Sequence, residues 1–79
     1  MEDGIFKSIK IYPNPNKGIF KIKGEFDHVR IIDVLGNMIL SVDGGLIETE
    51  VKLTNQKPGL YFMKVLKEGK YKTFKVIIN

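Results

Sequence analysis

Few side chains in this 79-residue chain are of types that do chemistry. Its single histidine, His28, stands near Asp27 and Asp33, so metal ligation is the first chemistry to weigh. Structural zinc takes four Cys or His ligands as a rule, and the chain contains no cysteine. Asp43, Glu48 and Glu50 offer oxygen ligands for calcium, but no loop repeats such ligands at the spacing of a calcium motif. Ser8 and Ser41 have no base beside them, so nucleophilic catalysis has no candidate set. Gly44-Gly45 makes no phosphate loop, because no helical pattern follows it. The expectation is a non-enzymatic domain with no catalytic, metal-ligating or cofactor-binding residues and no cofactor.

Informative residues lie instead where the chain must turn. In Tyr12-Pro13-Asn14-Pro15-Asn16-Lys17-Gly18, two prolines fix φ and delete two backbone donors, so neither a helix nor a central strand can pass. Asn14 and Asn16 can bond back to their own backbone, and Gly18 can take positive φ where a strand resumes.

The elements around this turn are short and alternating. Phe6 to Tyr12 reads as a half-buried strand with Ile9 and Ile11 on one face, and Phe20 and Ile22 alternate with Lys21 and Lys23 before Gly24. From His28 to Val34, apolar residues occupy both faces, the pattern of a strand covered on two sides. Asp33-Val34-Leu35-Gly36-Asn37 predicts a turn, with Asp33 capping its free amides, and Asp43-Gly44-Gly45 predicts a second. Between them, Met38 to Val42 has no clear inward face. Ile47, Thr49, Val51 and Leu53 alternate with Glu48, Glu50 and Lys52; a one-residue slip would bury two glutamates and a lysine, so this facing is well specified. A polar stretch from Thr54 to Gly59 leads into Leu60 to Leu66, with Tyr61, Met63 and Val65 on one face. Leu53, Pro58-Gly59 and Tyr61 match the layout of a tyrosine corner, in which the hydroxyl reaches back to the upstream backbone. Glu68-Gly69-Lys70 makes the last hairpin, and Phe74, Val76 and Ile78 alternate to the end.

About seven short strands with frequent turns and no helical periodicity predict an all-β, immunoglobulin-like β-sandwich of antiparallel strands. A small barrel buries the same alternating residues, so periodicity leaves it as the alternative. The predicted core contains Tyr61, Met63, Val65, Val51, Leu53, Phe74 and Val76.

Composition sets the limits. With 43% hydrophobic and 28% charged residues the chain is an ordinary globular domain, at the small end of what folds unaided. No stretch is long and apolar enough to span a membrane, and Met1 to Phe6 lacks the layout of a signal peptide, so export would require a longer polypeptide. The net charge of +4 and pI near 9.4 raise nucleic acid as a partner. The lysines are dealt out singly along alternating strands, however, as on solvated sheet faces, and Phe20 points away from Lys21 and Lys23. Neither nucleic-acid binding nor membrane insertion is expected.

Tyr12-Pro13-Asn14-Pro15, Asp33-Val34-Leu35-Gly36-Asn37, Pro58-Gly59-Leu60-Tyr61-Phe62-Met63-Lys64-Val65 and Lys75-Val76-Ile77-Ile78 occur in the order and spacing of a known family. The chain resembles the type A C-terminal sorting domains of the bacterial type IX (Por) secretion system, from about Ile9 to Asn79. That resemblance implies an immunoglobulin-like sandwich behind an upstream cargo domain in a secreted protein of Bacteroidetes-type bacteria. It further implies recognition by the outer-membrane translocon after passage through the periplasm, and removal at the cell surface by a sortase-like cysteine peptidase. Carried over by matching position, the motif residues are Tyr12, Pro13, Asn14, Pro15, Gly59, Tyr61, Lys75, Val76, Ile77 and Ile78, with Gly59 and Tyr61 assigned to building the fold. Residues 1–79 are then one sorting domain, in which 1–5 serve as linker. The competing reading is an accessory sandwich of an extracellular enzyme, as spacer or carbohydrate binder, although the chain has no tryptophan and its aromatics are scattered or inward.

Overall fold

The computed structural model describes residues 2–45, 47–53 and 55–79. Met1, in the expected linker, and Thr54, at the head of the polar stretch, lie outside them. The described residues form a short 3-10 helix, Glu2–Phe6, and seven strands: β1 (Lys10–Tyr12), β2 (Ile19–Lys23), β3 (Phe26–Ile32), β4 (Met38–Gly45), β5 (Glu48–Lys52), β6 (Gly59–Lys67) and β7 (Lys70–Ile78). All ladders are antiparallel, in two sheets ordered β1-β2-β5 and β4-β3-β6-β7. This is the expected sandwich rather than a barrel: among the described residues, no ladder joins an edge of one sheet to an edge of the other.

Alternation decides what the sheets bury. Phe20, Ile22 and Val51 from the first sheet meet Val29, Ile31, Met63, Val65 and Val76 from the second, all essentially inaccessible to water. Burial of this apolar area, worth about 25 cal/mol per Å², is what offsets chain entropy in so small a domain. Tyr61 and Leu53 are buried as expected, whereas Phe74 is half-buried against the cluster.

Local departures from the expected pattern have identifiable causes. Phe6 and Ile9 are both buried but three residues apart, and bonds from Lys7 N to Gly4 O and from Ile9 N to Phe6 O show a tight helical turn where alternation predicted a strand. β3 starts and ends earlier than its apolar run, leaving Val34 in the turn and exposed. In β4 the register passes from Ile31↔Leu40 to Ile32↔Met38, so Ile39 is an extra residue; Ile39 and Leu40 therefore both pack on the core, which is why no inward face was readable. Asp43-Gly44-Gly45 is strand rather than turn, because Gly45 pairs with Phe26 and its bare Cα makes room for the Phe26 ring, with which a Cβ would collide. Ile47 is 78% exposed because it lies one position beyond Lys23↔Glu48, the last paired row of its sheet.

Candidate functional site

β1 leads into the proline turn, in which the Tyr12-Pro13 and Asn14-Pro15 peptide bonds are both cis. Neither proline can donate a backbone hydrogen bond. The Asn14 carboxamide stands in for the missing peptide: its Nδ2 donates to Lys75 O at 2.9 Å and its Oδ1 accepts from Ile77 N at 3.0 Å. At Asn16 the backbone takes over, its N donating to Ile77 O (2.9 Å) and its O accepting from Asn79 N (2.7 Å). Asn16 and Ile78 thus form a parallel bridge, and the outer edge of β7 is occupied from Lys75 to Asn79. Asn16 is itself buried, donating from Nδ2 to Pro13 O (3.2 Å) and accepting at Oδ1 from Gly18 N (2.8 Å). Gly18 has a φ of 102°, as the return into β2 was expected to require.

On its other side β7 pairs with β6, setting Ile78 opposite Gly59 and Val76 opposite Tyr61. The Tyr61 hydroxyl donates to Lys57 O at 2.5 Å, the tyrosine corner that Pro58-Gly59 and Tyr61 predicted. The turn that carries Pro13, Asn14 and Pro15 is therefore bonded to Lys75–Ile78, and Gly59 and Tyr61 pair with the same strand end, whereas the Tyr12 side chain reaches Glu48 in the other sheet. Val76, Ile78 and Tyr61 face the core, whereas Tyr12, Pro13, Asn14, Pro15, Gly59, Lys75 and Ile77 lie at the surface.

Charge at the rim of this region is organised by Tyr12, whose hydroxyl donates to the Glu48 carboxylate across the three-stranded sheet. Lys21 lies 3.4 Å from the same carboxylate. The bond from Tyr12, followed by the nearby lysines, holds the Glu48 carboxyl below its ordinary pKa, and the same bond raises that of the Tyr12 phenol. Asp33 is held low by the amide of Asn37 above all, and it also accepts from the Asn37 side chain and from Leu35 N.

Residues that raised other chemistries are occupied separately. His28 Nδ1 faces Asp43 Oδ1 at 2.6 Å, not Asp27 or Asp33, and Asp27 Oδ2 accepts from Glu68 N at 3.0 Å. Among the described residues no group of three or more His, Asp or Glu side chains is placed to hold a metal ion. Two features were not read from the sequence. Asn14 bonds across to β7 rather than to its own turn, and Glu48, nominated only as a calcium ligand, is the partner of Tyr12.

Residues 10–79 match the family model described as the secretion system C-terminal sorting domain. The chain belongs to that family. Its members are the sorting signals of type IX secretion cargo proteins, so this sorting domain serves a cargo carried upstream in the same polypeptide. Its role is export to the cell surface or the surrounding medium, by the type IX machinery. The family is not a catalytic one. Comparison with curated proteins returns no match.

Proposed function

We propose that the outer-membrane translocon reads this sorting domain in the folded state, at the end where the Tyr12–Pro15 turn is bonded to Lys75–Ile78. Cargo and domain pass through the periplasm of a Bacteroidetes-type cell; after translocation a sortase-like cysteine peptidase removes the domain, which has no catalysis of its own. Residues 1–5 are the link to the cargo, and residues 6–79 are the unit read. The observation that carries this reading is the Asn14 carboxamide bonded to both Lys75 and Ile77, since it makes one surface of two motifs distant in sequence. Tyr61, Val76 and Ile78 act through the fold; Tyr12, Pro13, Asn14, Pro15, Lys75 and Ile77 are the groups a partner can touch.

Lys75→Ala in a reporter fusion tests this. Its side chain is exposed, so the variant should melt within about 1 kcal/mol of the parent. The expected result is slower arrival of the reporter at the surface. Unchanged melting together with an unchanged rate would reduce Lys75 to a solubilising residue and remove it from the recognised surface.

A further inference from the structure

Exposed apolar side chains gather at one end of the four-stranded sheet. Val34 and Leu35, 64% and 84% exposed, sit on the turn after β3 and share a groove of about 230 Å³ with Leu60. Register carries this surface onward, since Leu60 lies opposite Ile77, and the next row runs from Phe62 through Ile32 to Met38. Of these, Ile77 is 42% and Met38 61% exposed. Contiguous apolar surface of this kind on a small domain marks an interaction site more often than chance.

The turn that displays Val34 and Leu35 is held rigidly. Asp33 Oδ1 accepts from both Leu35 N and Asn37 N, Gly36 N donates to Asp33 O, and Asp33 N donates to Asn37 O. A partner docking here would have little ordering entropy to overcome.

Charge around the apolar centre is predominantly positive. Lys57 lines the groove, Lys75 closes the Phe62 row, and Arg30 and Lys64 stand directly opposite each other in the row beyond. Asp33 is the acidic group in the groove, and its carboxylate accepts from its own turn; Asp43, at the far corner of the sheet, faces His28. A two-fold pairing of this face with a second copy would bring cationic rows together, which is unfavourable.

From this we infer that the face formed by Val34, Leu35, Leu60 and Ile77 docks a protein segment that presents an aliphatic or aromatic side chain flanked by carboxylates. The apolar side chain enters the groove, and the carboxylates meet Lys57 and Lys75.

An NMR titration of the 79-residue chain tests this without reference to export, so its outcome is separable from that of the sorting reading. The probes are a ten-residue peptide with one phenylalanine between aspartates, the same peptide with lysines for the aspartates, and phosphatidylglycerol vesicles. Amide shifts confined to Val34, Leu35, Leu60, Ile77 and their neighbours, produced by the aspartate peptide, are the expected result. Leu60→Ser and Lys57→Glu should each weaken that peptide at least fivefold while leaving the melting curve in place. The inference is overturned if no shift occurs or if both peptides act alike. Shifts spread over Lys10, Lys21 and Lys23 would overturn it too, as would the same response to vesicles alone or to protein concentration alone.

Discussion

Asn14 and Ile77 are bonded through the side chain of one and the backbone of the other, Asn14 Oδ1 accepting from Ile77 N at 3.0 Å. With the companion bond from Asn14 Nδ2 to Lys75 O, a single carboxamide does for the edge of β7 what a neighbouring peptide unit does inside a sheet. The proline turn thus covers the end of an edge strand that would otherwise be open to pairing with other chains.

Asn14→Ala should therefore destabilise the domain by about 1–2 kcal/mol, the net worth of two hydrogen bonds of ordinary strength. Denaturant melts report the total. Hydrogen exchange localises it: the Ile77 amide should exchange faster in the variant, while those of Met63 and Val65 follow global stability.

Tyr61→Phe removes the bond to Lys57 O and leaves the buried ring in place, so it should cost about 1 kcal/mol. A coincident midpoint and slope for the two proteins would mean that the corner bond contributes nothing.

Gly45→Val should cost about 1–3 kcal/mol, because the new side chain must displace the Phe26 ring that lies against the Gly45 Cα. Thermal melts of Gly45→Val and of the exposed control Gly36→Ala would be compared. Gly36 has a φ of 88°, so its variant reports backbone strain where a Cβ meets nothing, separating strain from collision.

Stability should fall at both extremes of pH, for opposite reasons. Asp33 and Glu48 have depressed pKa values in the folded state, so their contribution is complete above the ordinary values of 3.8 and 4.5 and is lost as pH falls below these through the folded ones. Tyr12 has a raised pKa, so its contribution is complete below its ordinary value of 10.0 and is lost as pH rises through the folded value. Tyr12→Phe should flatten the alkaline limb of a stability–pH curve, and Asp33→Ala the acid limb.

What the sequence made legible was whatever depends on neighbours along the chain. Phe20 and Ile22 against Lys21 and Lys23 fixed the facing of β2, and Pro58-Gly59 with Tyr61 located the corner. Contacts with a different local origin escaped. Phe6 reaches the core by a helical turn whose spacing with Ile9 does not match strand alternation, and the glycines at 44 and 45 looked like a turn because the Phe26 ring that needs Gly45 lies on another strand. The site divided in the same way: its motifs could be read individually, but no local pattern could reveal that Asn14, rather than turning on itself, bonds residues more than sixty positions away.

Export of a reporter fused ahead of the domain tests the central claim most directly, measured in a strain that possesses the type IX translocon, with and without residues 75–79. The intact domain should carry the reporter to the cell surface or medium. Deletion of Lys75–Asn79 removes the strand end to which Asn14 and Asn16 are bonded, and the reporter should then accumulate in the periplasm. A reporter that stays in the periplasm behind the intact, folded domain would contradict the account.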